Sequence, residues 1–469
     1  MVPLPGAMMS KTGPLRVPEL LQEIALFIEN AQNLSCLAQV DRFTHRILTP
    51  CLFRSIKLRL HSLGSLATAF RNNPDLAASC KSLTFFCEYG QRESVVSGSA
   101  IQQLCMDVIV VFGAISTHQR LASLRLDGWE FKGHIVDISE EAAAAVSSVL
   151  GSLQELEMYI PFESHIWNSL TSTRFAQLRV FRLSLLSAHG WDCSSLQQML
   201  NTLCHLEELA LEFPVCCGPF GLTLGSTHPH LKRFSFTGCA LMDECDFLAR
   251  HPSLESLYLE TDQSFSNGTD SSPLKMLRAL SINGYSLCYC PTLLNSPITH
   301  LRLREIDEEP DPALADTIRA LGRTLRCLEL DVEGLEDEPI PQHAIDLMSN
   351  APALDELAII RHRPSPLPHN WASNLITDLL AALGPTTPIR ALRVRCDDAL
   401  PQTRLRGLGP LPVRLKYIGW DVGRASSVVY SMERRPGDED VFVNTVTRAA
   451  TDDWMAEAVL PFMGESWTP

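Results

Sequence analysis

One pattern of apolar positions recurs along most of the chain. HPHLKRFSF from His228, HPSLESLYL from His251 and APALDELAI from Ala351 share the form P-x-L-x-x-[LF]-x-[LFI]. Looser copies are LASLRL from Leu121, LQELEM from Leu153, LRVFRL from Leu178, LEELAL from Leu206, LRALSI from Leu277, ITHLRL from Ile298, LRCLEL from Leu325, IRALRV from Ile389 and LKYIGW from Leu415. FRSIKL from Phe53 and CKSLTF from Cys80 are earlier candidates. The final apolar pair of each phrase brackets one residue of another kind, which is the period-two signature of a strand. The stretches between phrases have helical signals. Ser139 precedes EEAAAAVSSVL as a cap, Asp311 and Pro312 open DPALADTIRALG, Pro341 opens PQHAIDLMSN, and ASNLITDLLAAL follows Trp371. A leucine-rich chain repeats such phrases by chance, so spacing decides. From Leu121 the steps are 32, 25, 28, 25, 23, 23, 21, 27, 29, 35 and 26 residues.

The opening stretch follows a different period. Leu20, Leu21, Ile24, Phe27 and Ile28 fall on one broad apolar face of a helix that Pro18 can start. After ENAQN a second helical pattern carries Leu34, Leu37 and Ala38, and Val40, Phe43 and Ile47 continue on an offset face. Fully burying one such side chain is worth about 1.5–3 kcal/mol, and a unit this small cannot cover all of them. A neighbouring repeat can take one side and a partner the other. Near the far end, SVVYSMER and DVFVNTVTR read as strands joined by a turn at RPGDE, with DDWMAEAVLPF as a short final helix.

Strand-plus-helix units at steps of this size resemble leucine-rich repeats, over roughly residues 50–425. LKRFSFTGCAL, Leu231 to Leu241, follows the longer repeat form with Cys239 at the usual Asn/Cys position; LRALSINGYSL puts Tyr285 there. The resemblance implies an α/β fold, an irregular solenoid with parallel strands inside and helices outside. An ordinary α/β sheet is the competing fold, but no Gly-rich phosphate loop follows any strand.

The opening stretch resembles an F-box. Val17-Pro18-Glu19-Leu20-Leu21, Ile24, then Leu34, Leu37, Val40, Asp41, Arg42 and Phe43, and the closing Pro50-Cys51-Leu52-Phe53-Arg54-Ser55-Ile56 carry the likeness. Val17 stands where Leu is usual and Asp41 where Cys is common. This resemblance implies adaptor-binding residues Pro18, Leu20, Leu21, Ile24, Leu34, Leu37, Val40 and Phe43, with Pro18, Leu21 and Ile24 the most sensitive. It implies a Skp-type adaptor, a cullin scaffold with a RING subunit reached through it, and a protein client on the repeats: a substrate receptor of an SCF-type ubiquitin ligase. The alternative is a repeat scaffold without ligase function whose first helices only cap the solenoid. The domain organisation expected is a flexible tail at 1–15, an F-box-like helical domain at 16–58, the solenoid at 59–425 and a hairpin-and-helix cap at 426–469.

Composition narrows the classes. The 469 residues carry a formal charge of −15, which argues against a nucleic-acid binder or a protein held on an anionic membrane surface. Residues 1–60 hold seven Lys/Arg and four Asp/Glu, a local +3 that leaves −18 on the remainder and suits an acidic adaptor. The longest uninterrupted apolar run lies around Val108 to Phe112, far short of a membrane span, and MVPLPGAMMSKTGPLR is a poor signal peptide. The 15 cysteines are scattered without a C-x-x-C pair; Cys216-Cys217 and Cys288/Cys290 lack partners at zinc-finger spacing. Free thiols in a reducing compartment, cytoplasmic or nuclear, are the expectation, with no metal and no cofactor. No P-loop, H-E-x-x-H or G-x-S-x-G motif occurs, and Cys396 beside Asp397 and Asp398 has no local His to activate it, so a non-catalytic subunit is expected.

The residue inside each final apolar pair points away from the core, toward the concave side of a solenoid. In chain order these positions are Arg125, Glu157, Arg182, Ala210, Ser235, Tyr258, Ser281, Arg302, Glu329, Ala358, Arg393 and Gly419. Tyr258 is a candidate aromatic anchor, and Arg182, Arg302 and Arg393 are candidate contacts to carboxylates or anions; solvated sheet surface is the bland alternative. EIDEEPD and ELDVEGLEDE together hold eleven acidic residues and no basic one. Glu305, Asp307, Glu308, Glu309, Asp331 and Glu333 are the candidate acidic rim, for a basic client segment or merely for solubility. RHRPSPLPHNW from Arg361 is a Pro-rich linker or protruding contact.

Overall fold

The computed structural model describes residues 17–28, 31–86, 98–127, 130–131, 134–135, 138–160, 164–185, 194–213, 222–238, 241–242, 244–261, 272–288, 290–304, 312–332, 340–360, 378–380, 383, 387, 389–396, 412–422, 426–434 and 441–447. The chain divides into two compact units, Met1–Leu206 and Glu207–Pro469.

The first unit opens with three helices, α1 (Pro18–Phe27), α2 (Ala31–Ala38) and α3 (Arg42–Leu52). Pro18 occupies the first turn of α1, where its missing N–H costs nothing. Asp41 explains the break between α2 and α3. Its carboxylate accepts from the Thr44 backbone N–H at 2.7 Å, while the Thr44 hydroxyl oxygen accepts from the Asp41 N–H at 3.1 Å, a reciprocal cap. Both α1 and α2 pack on α3, which leads into the first strand.

Strands β1 (Ser55–Arg59), β2 (Ser82–Phe86), β3 (Ser123–Asp127), β4 (Glu155–Ile160) and β5 (Val180–Leu185) then line up in chain order, each parallel to the next. The crossovers carry α4 (Leu63–Asn72), α5 (Asp75–Ser79), α6 (Gly98–Ser116), α7 (Glu140–Leu150) and α8 (His165–Ser172), and α9 (Ser194–Leu200) follows β5. Ser139 caps α7 through the Ala142 N–H, as its place in the sequence predicts. The apolar pairs Leu124/Leu126, Leu156/Met158 and Phe181/Leu183 are buried, and so are Ala142, Val146 and Leu150 of α7. Alternation with period two therefore sends one face of each strand into the core.

In the second unit, β6 (Glu208–Glu212), β7 (Arg233–Gly238), β8 (Ser256–Thr261), β9 (Ala279–Asn283), β10 (His300–Arg304), β11 (Cys327–Asp331), β12 (Glu356–Ile360), β13 (Ala391–Cys396) and β14 (Tyr417–Val422) repeat the same parallel arrangement. Between them lie α10 (Glu244–Arg250), α11 (Gly284–Cys288), α12 (Pro291–Leu294), α13 (Pro312–Leu321) and α14 (Ile340–Ser349). Every repeat phrase read from the sequence carries one strand. Within each unit this is the strand-and-helix stacking of a leucine-rich-repeat solenoid. The parallel run ends in an antiparallel hairpin, β15 (Ser426–Arg434) and β16 (Val441–Thr447), with β15 paired to β14. The DDWMAEAVLPF segment lies outside the described residues.

One expectation needs correction. Helix α6 is long and apolar enough, by length and composition, to cross a membrane. Gln102, Gln103 and Asp107 punctuate the stretch, so it holds no long uninterrupted apolar run. Its Leu104, Val108, Val111, Phe112 and Ile115 are buried, and it packs between α4 and α7. Asp107 is buried with them, bonded to Gln103 at 3.0 Å and within 3.8 Å of Arg71.

Candidate interaction surfaces

The α1–α3 unit builds its own small core from Leu21, Ala25, Leu34, Ala38 and Leu48, with Ile28, Leu37, Phe43, Ile47, Cys51 and Leu52 packed around it half-buried. The single apolar face expected of α1 is therefore two stripes. Leu21 is 0% exposed and turns inward with Ala25, while Leu20 (46%), Ile24 (38%) and Phe27 (83%) point to solvent at i, i+4 and i+7. Val17 and, on the turn before α3, Val40 (67%) are exposed as well. The candidate adaptor residues separate accordingly. Leu21 and Leu34 are buried and hold the unit together, Pro18, Leu37 and Phe43 are half-buried, and Leu20, Ile24 and Val40 are at the surface. The periodicity placed Leu20, Leu21 and Ile24 together because adjacent residues on a helix differ by only about 100°; which of them faces α3 is set by the angle at which α1 docks.

The inner-face row is in register strand after strand. In the first unit Lys57, Thr84, Arg125, Glu157 and Arg182 are successive partners. In the second, Ala210, Ser235, Tyr258, Ser281, Arg302, Glu329, Ala358, Arg393 and Gly419 follow in the same way. The two rows differ in environment. Lys57 is exposed and Thr84, Arg125, Glu157 and Arg182 are half-exposed. Ala210, Ser281, Arg302, Glu329, Ala358 and Arg393 are buried, which overturns the expectation of a solvated or client-facing surface there.

Burial of charge requires partners, and these are present. Arg302 donates to Asp331 at 3.0 Å, and Arg393 lies 3.9 Å from Glu329. Arg302 and Arg393 are thus engaged by carboxylates of their own chain. Asp331, expected on an acidic rim, is buried beside Arg302; Glu305, Asp307, Glu308, Glu309 and Glu333 lie outside the described residues. Burial pushes the Cys327 thiol well above its usual value, with Glu329 and Glu356 adding to the effect. Tyr258 is half-exposed; its hydroxyl donates to Glu260 at 2.7 Å, and the Arg304 guanidinium sits 5.3 Å from its ring centre while also pairing with Glu260.

Sequence reasoning missed a spine between repeats. The imidazoles of His228 and His251, both buried, stack with ring centres 5.7 Å apart. The His228 backbone N–H donates to His251 Nε2 at 2.9 Å, and His251 Nδ1 donates to the Phe247 carbonyl at 2.7 Å, which defines a neutral tautomer. In the following repeats the Leu274 N–H donates to Ser296 Oγ at 3.0 Å. The recurring His-Pro dipeptide was the available signal: a side chain one repeat later satisfies a backbone donor that the turn leaves over.

Among the described residues no group of three or more His, Cys, Asp and Glu is placed to hold a metal. The Cys396 strand is described but Asp397 and Asp398 lie outside the described residues, as do Cys216, Cys217, Cys239 and the Arg361–Trp371 segment.

No protein-family model matches the chain, and no curated protein matches it. Among solved structures, one titled "Crystal structure of TLR13-ssRNA13 complex" is similar at 14% identity and a TM-score of 0.30, covering 73% of this chain and 52% of that one. The chain spans about half the length of that structure.

Proposed function

We propose that this protein is a substrate-receptor subunit of an SCF-type cullin-RING ubiquitin ligase. The exposed stripe of α1 binds a Skp-type adaptor, the repeats hold a protein client, and the chain itself performs no bond chemistry. Its contribution is effective concentration: a client held beside the ligase meets activated ubiquitin far more often than a free one. Work of this kind belongs in the cytoplasm or nucleus.

One observation carries this reading. The α1–α3 unit already has a complete core, yet it leaves Leu20, Ile24 and Phe27 in a solvent-facing stripe with Val17 and Val40 exposed. A helix that served only as a cap would turn such residues onto its own chain, because each costs free energy in water. The F-box resemblance of Val17, Leu20, Ile24 and Val40 suggests the occupant, and the local +3 charge of residues 1–60 suits an acidic one.

The test is co-expression with a Skp-type adaptor and affinity capture. Wild type should retain the adaptor at about one to one, and Leu20→Asp/Ile24→Asp should lose it while staying folded with only a modest fall in unfolding temperature, since both side chains are partly exposed and outside the buried core of the unit. A well-folded wild type that captures no adaptor would demote the helices to a cap and leave a repeat scaffold.

A further inference from the structure

The turns that lead into the later strands of the second unit form a ladder of their own. Thr299, Arg326, Asp355, Arg390 and Lys416 each donate a backbone N–H to the carbonyl of the matching residue one repeat earlier, beginning at Arg278, at 2.6–2.8 Å. These residues therefore stand side by side on one rim of the repeat stack, about 4.8 Å apart. Lys275, Arg323 and Arg414 lie in the same turns. Among the described residues, the five positions before each of β9–β14 hold seven cations and one acid, Asp355. Lys275, Arg278, Arg323, Arg326, Arg414 and Lys416 are exposed, and Arg390 is half-exposed. In a chain of net charge −15, this rim opposes the average of the molecule.

Little of this charge is neutralised. Asp355 is shared between Arg326 at 3.7 Å and Arg414 at 3.8 Å. Arg278 donates from one terminal nitrogen to the Lys275 and Leu277 carbonyls at 3.0 and 3.2 Å, and Arg326 donates to the Ala353 carbonyl at 3.1 Å. Carbonyls orient a guanidinium and leave its charge in place, so less entropy is lost when it meets an anion. The Arg390 guanidinium carbon lies 5.8 Å from the Tyr417 ring centre, again a neutral partner. Lys275, Arg323 and Lys416 pair with no carboxylate among the described residues. A cation beyond a helix C-terminus answers the helix dipole, which accounts for Arg323 after α13. Lys275, Arg278, Arg414 and Lys416 follow no described helix in their own repeats. Like charges held on one rim repel one another, a cost that an anionic partner removes.

The cations fall into three groups, ahead of β9, β11 and β13–β14, with Thr299 and Asp355 between them. Two strand steps measure about 9.6 Å, and three residues of an extended chain rise about 10 Å. We infer that this rim docks an extended protein segment whose acidic side chains are spaced about three residues apart. Five strand steps, about 24 Å, correspond to about seven such residues. A peptide fits better than a nucleic acid or an anionic bilayer. Asp355 within the rim and exposed Glu255 at its β8 end would repel a continuous run of phosphates, whereas separate carboxylates can be placed around them. The inference gives the chemistry of the client; it rests on the repeats being the client-holding part of the protein and is independent of the adaptor.

The test is selection of a random dodecapeptide library on the full-length wild-type chain, with affinities then read by fluorescence anisotropy. Peptides with Asp or Glu at i, i+3 and i+6 should be enriched. A labelled synthetic winner should bind Lys275→Glu/Lys416→Glu and Arg278→Glu/Arg326→Glu weaker by roughly ten-fold or more. It should bind Lys81→Glu, a charge reversal in an exposed turn of the first unit, as wild type does. The Lys275 and Lys416 side chains are exposed and pair with no described carboxylate, so that variant keeps its fold even if loss of the Arg278 and Arg326 carbonyl bonds loosens the turns. A rearranged winner of equal charge with its acids contiguous should bind less tightly than the original. Peptides without acidic enrichment, no selectable peptide, equal affinity for all variants, or preference for a single-stranded oligonucleotide or for phosphatidylserine vesicles would each overturn the inference. Adaptor capture by Lys275→Glu/Lys416→Glu should be intact. Absence of adaptor capture by wild type, with peptide binding kept, would remove the ligase reading and leave this surface standing.

Discussion

Leu21 and Ile24 lie three residues apart on one helix and do opposite work. Leu21 is fully buried among Ala25, Leu34, Ala38 and Leu48, whereas Ile24 faces water. Truncating Leu21 to Ala removes buried methyl groups and leaves a cavity, at a cost of about 2–5 kcal/mol. Ile24→Ala, at a partly exposed position (38%), should cost no more than about 1 kcal/mol. Urea titration of the two variants should therefore separate stability from binding, and equal losses would mean that Ile24 is also part of the core. His251 adds a pH dependence. Burial pushes its ring down from 6.5 to about 4; the Phe247 carbonyl pulls the other way, and the charges of His228 and Arg250 reinforce the lowering. A folded-state pKa below the unfolded one means that the unfolded chain binds more protons. The stabilisation, about 3 kcal/mol, is then fully present above pH 6.5 and disappears as pH falls toward 4. His251→Gln should flatten the loss of unfolding free energy between those limits, and an unchanged slope would show that His251 titrates normally. At this scale the sequence revealed residue types and caps such as Ser139. It could not tell Leu21 from Leu20, because both satisfy the same period and only the docking of α1 on α3 distinguishes them.

Among elements, the strands were the most legible. Each repeat phrase carries one strand, and the inner-face row read from single positions is the hydrogen-bonded register. That is so because a parallel strand buried by an apolar pair cannot slip by one residue without turning both leucines into solvent. The burial of the second unit's row was not legible. A residue between two leucines points away from the core whether or not something lies over it. Charge pairing across β10, β11 and β13 is the consequence. Arg302→Ala would leave the Asp331 carboxylate buried without that guanidinium and should cost about 3–5 kcal/mol. Arg302→Met/Asp331→Leu should recover most of it, because two apolar groups of similar volume leave no charge to desolvate. A double variant as unstable as the single would show that the strands depend on the ion pair itself, and thermal unfolding of the two proteins decides it.

At the scale of the whole molecule, thiol reactivity reports on both units together. Cys80 and Cys105 of the first unit and Cys290 and Cys327 of the second are buried and unbridged, whereas Cys36 and Cys204 are exposed. Burial pushes the Cys80 thiol up to about 12, so almost none of it is thiolate near neutrality. Pulsed alkylation with mass-spectrometric readout should label Cys36 and Cys204 within the native baseline, and the four buried thiols only through the unfolding transition. Early labelling of Cys290 or Cys327 would mean that the second unit opens locally before it unfolds.

The sequence alone determined the repeat: its phrase, its step, the strand in each copy, the terminal hairpin and the residues that share the inner face. These depend on chain-local periodicity, which survives in one dimension. The tertiary structure decided everything that depends on what lies opposite a side chain. It separated the outward stripe of α1 from the inward one, buried Arg302, Glu329 and Arg393 of the second unit's inner row, and left Arg125, Glu157 and Arg182 of the first unit's row half-exposed. Solvent exposure and charge pairing are properties of neighbours brought together from distant repeats. A pattern of apolar positions specifies which face a residue is on, and carries no record of what that face will meet.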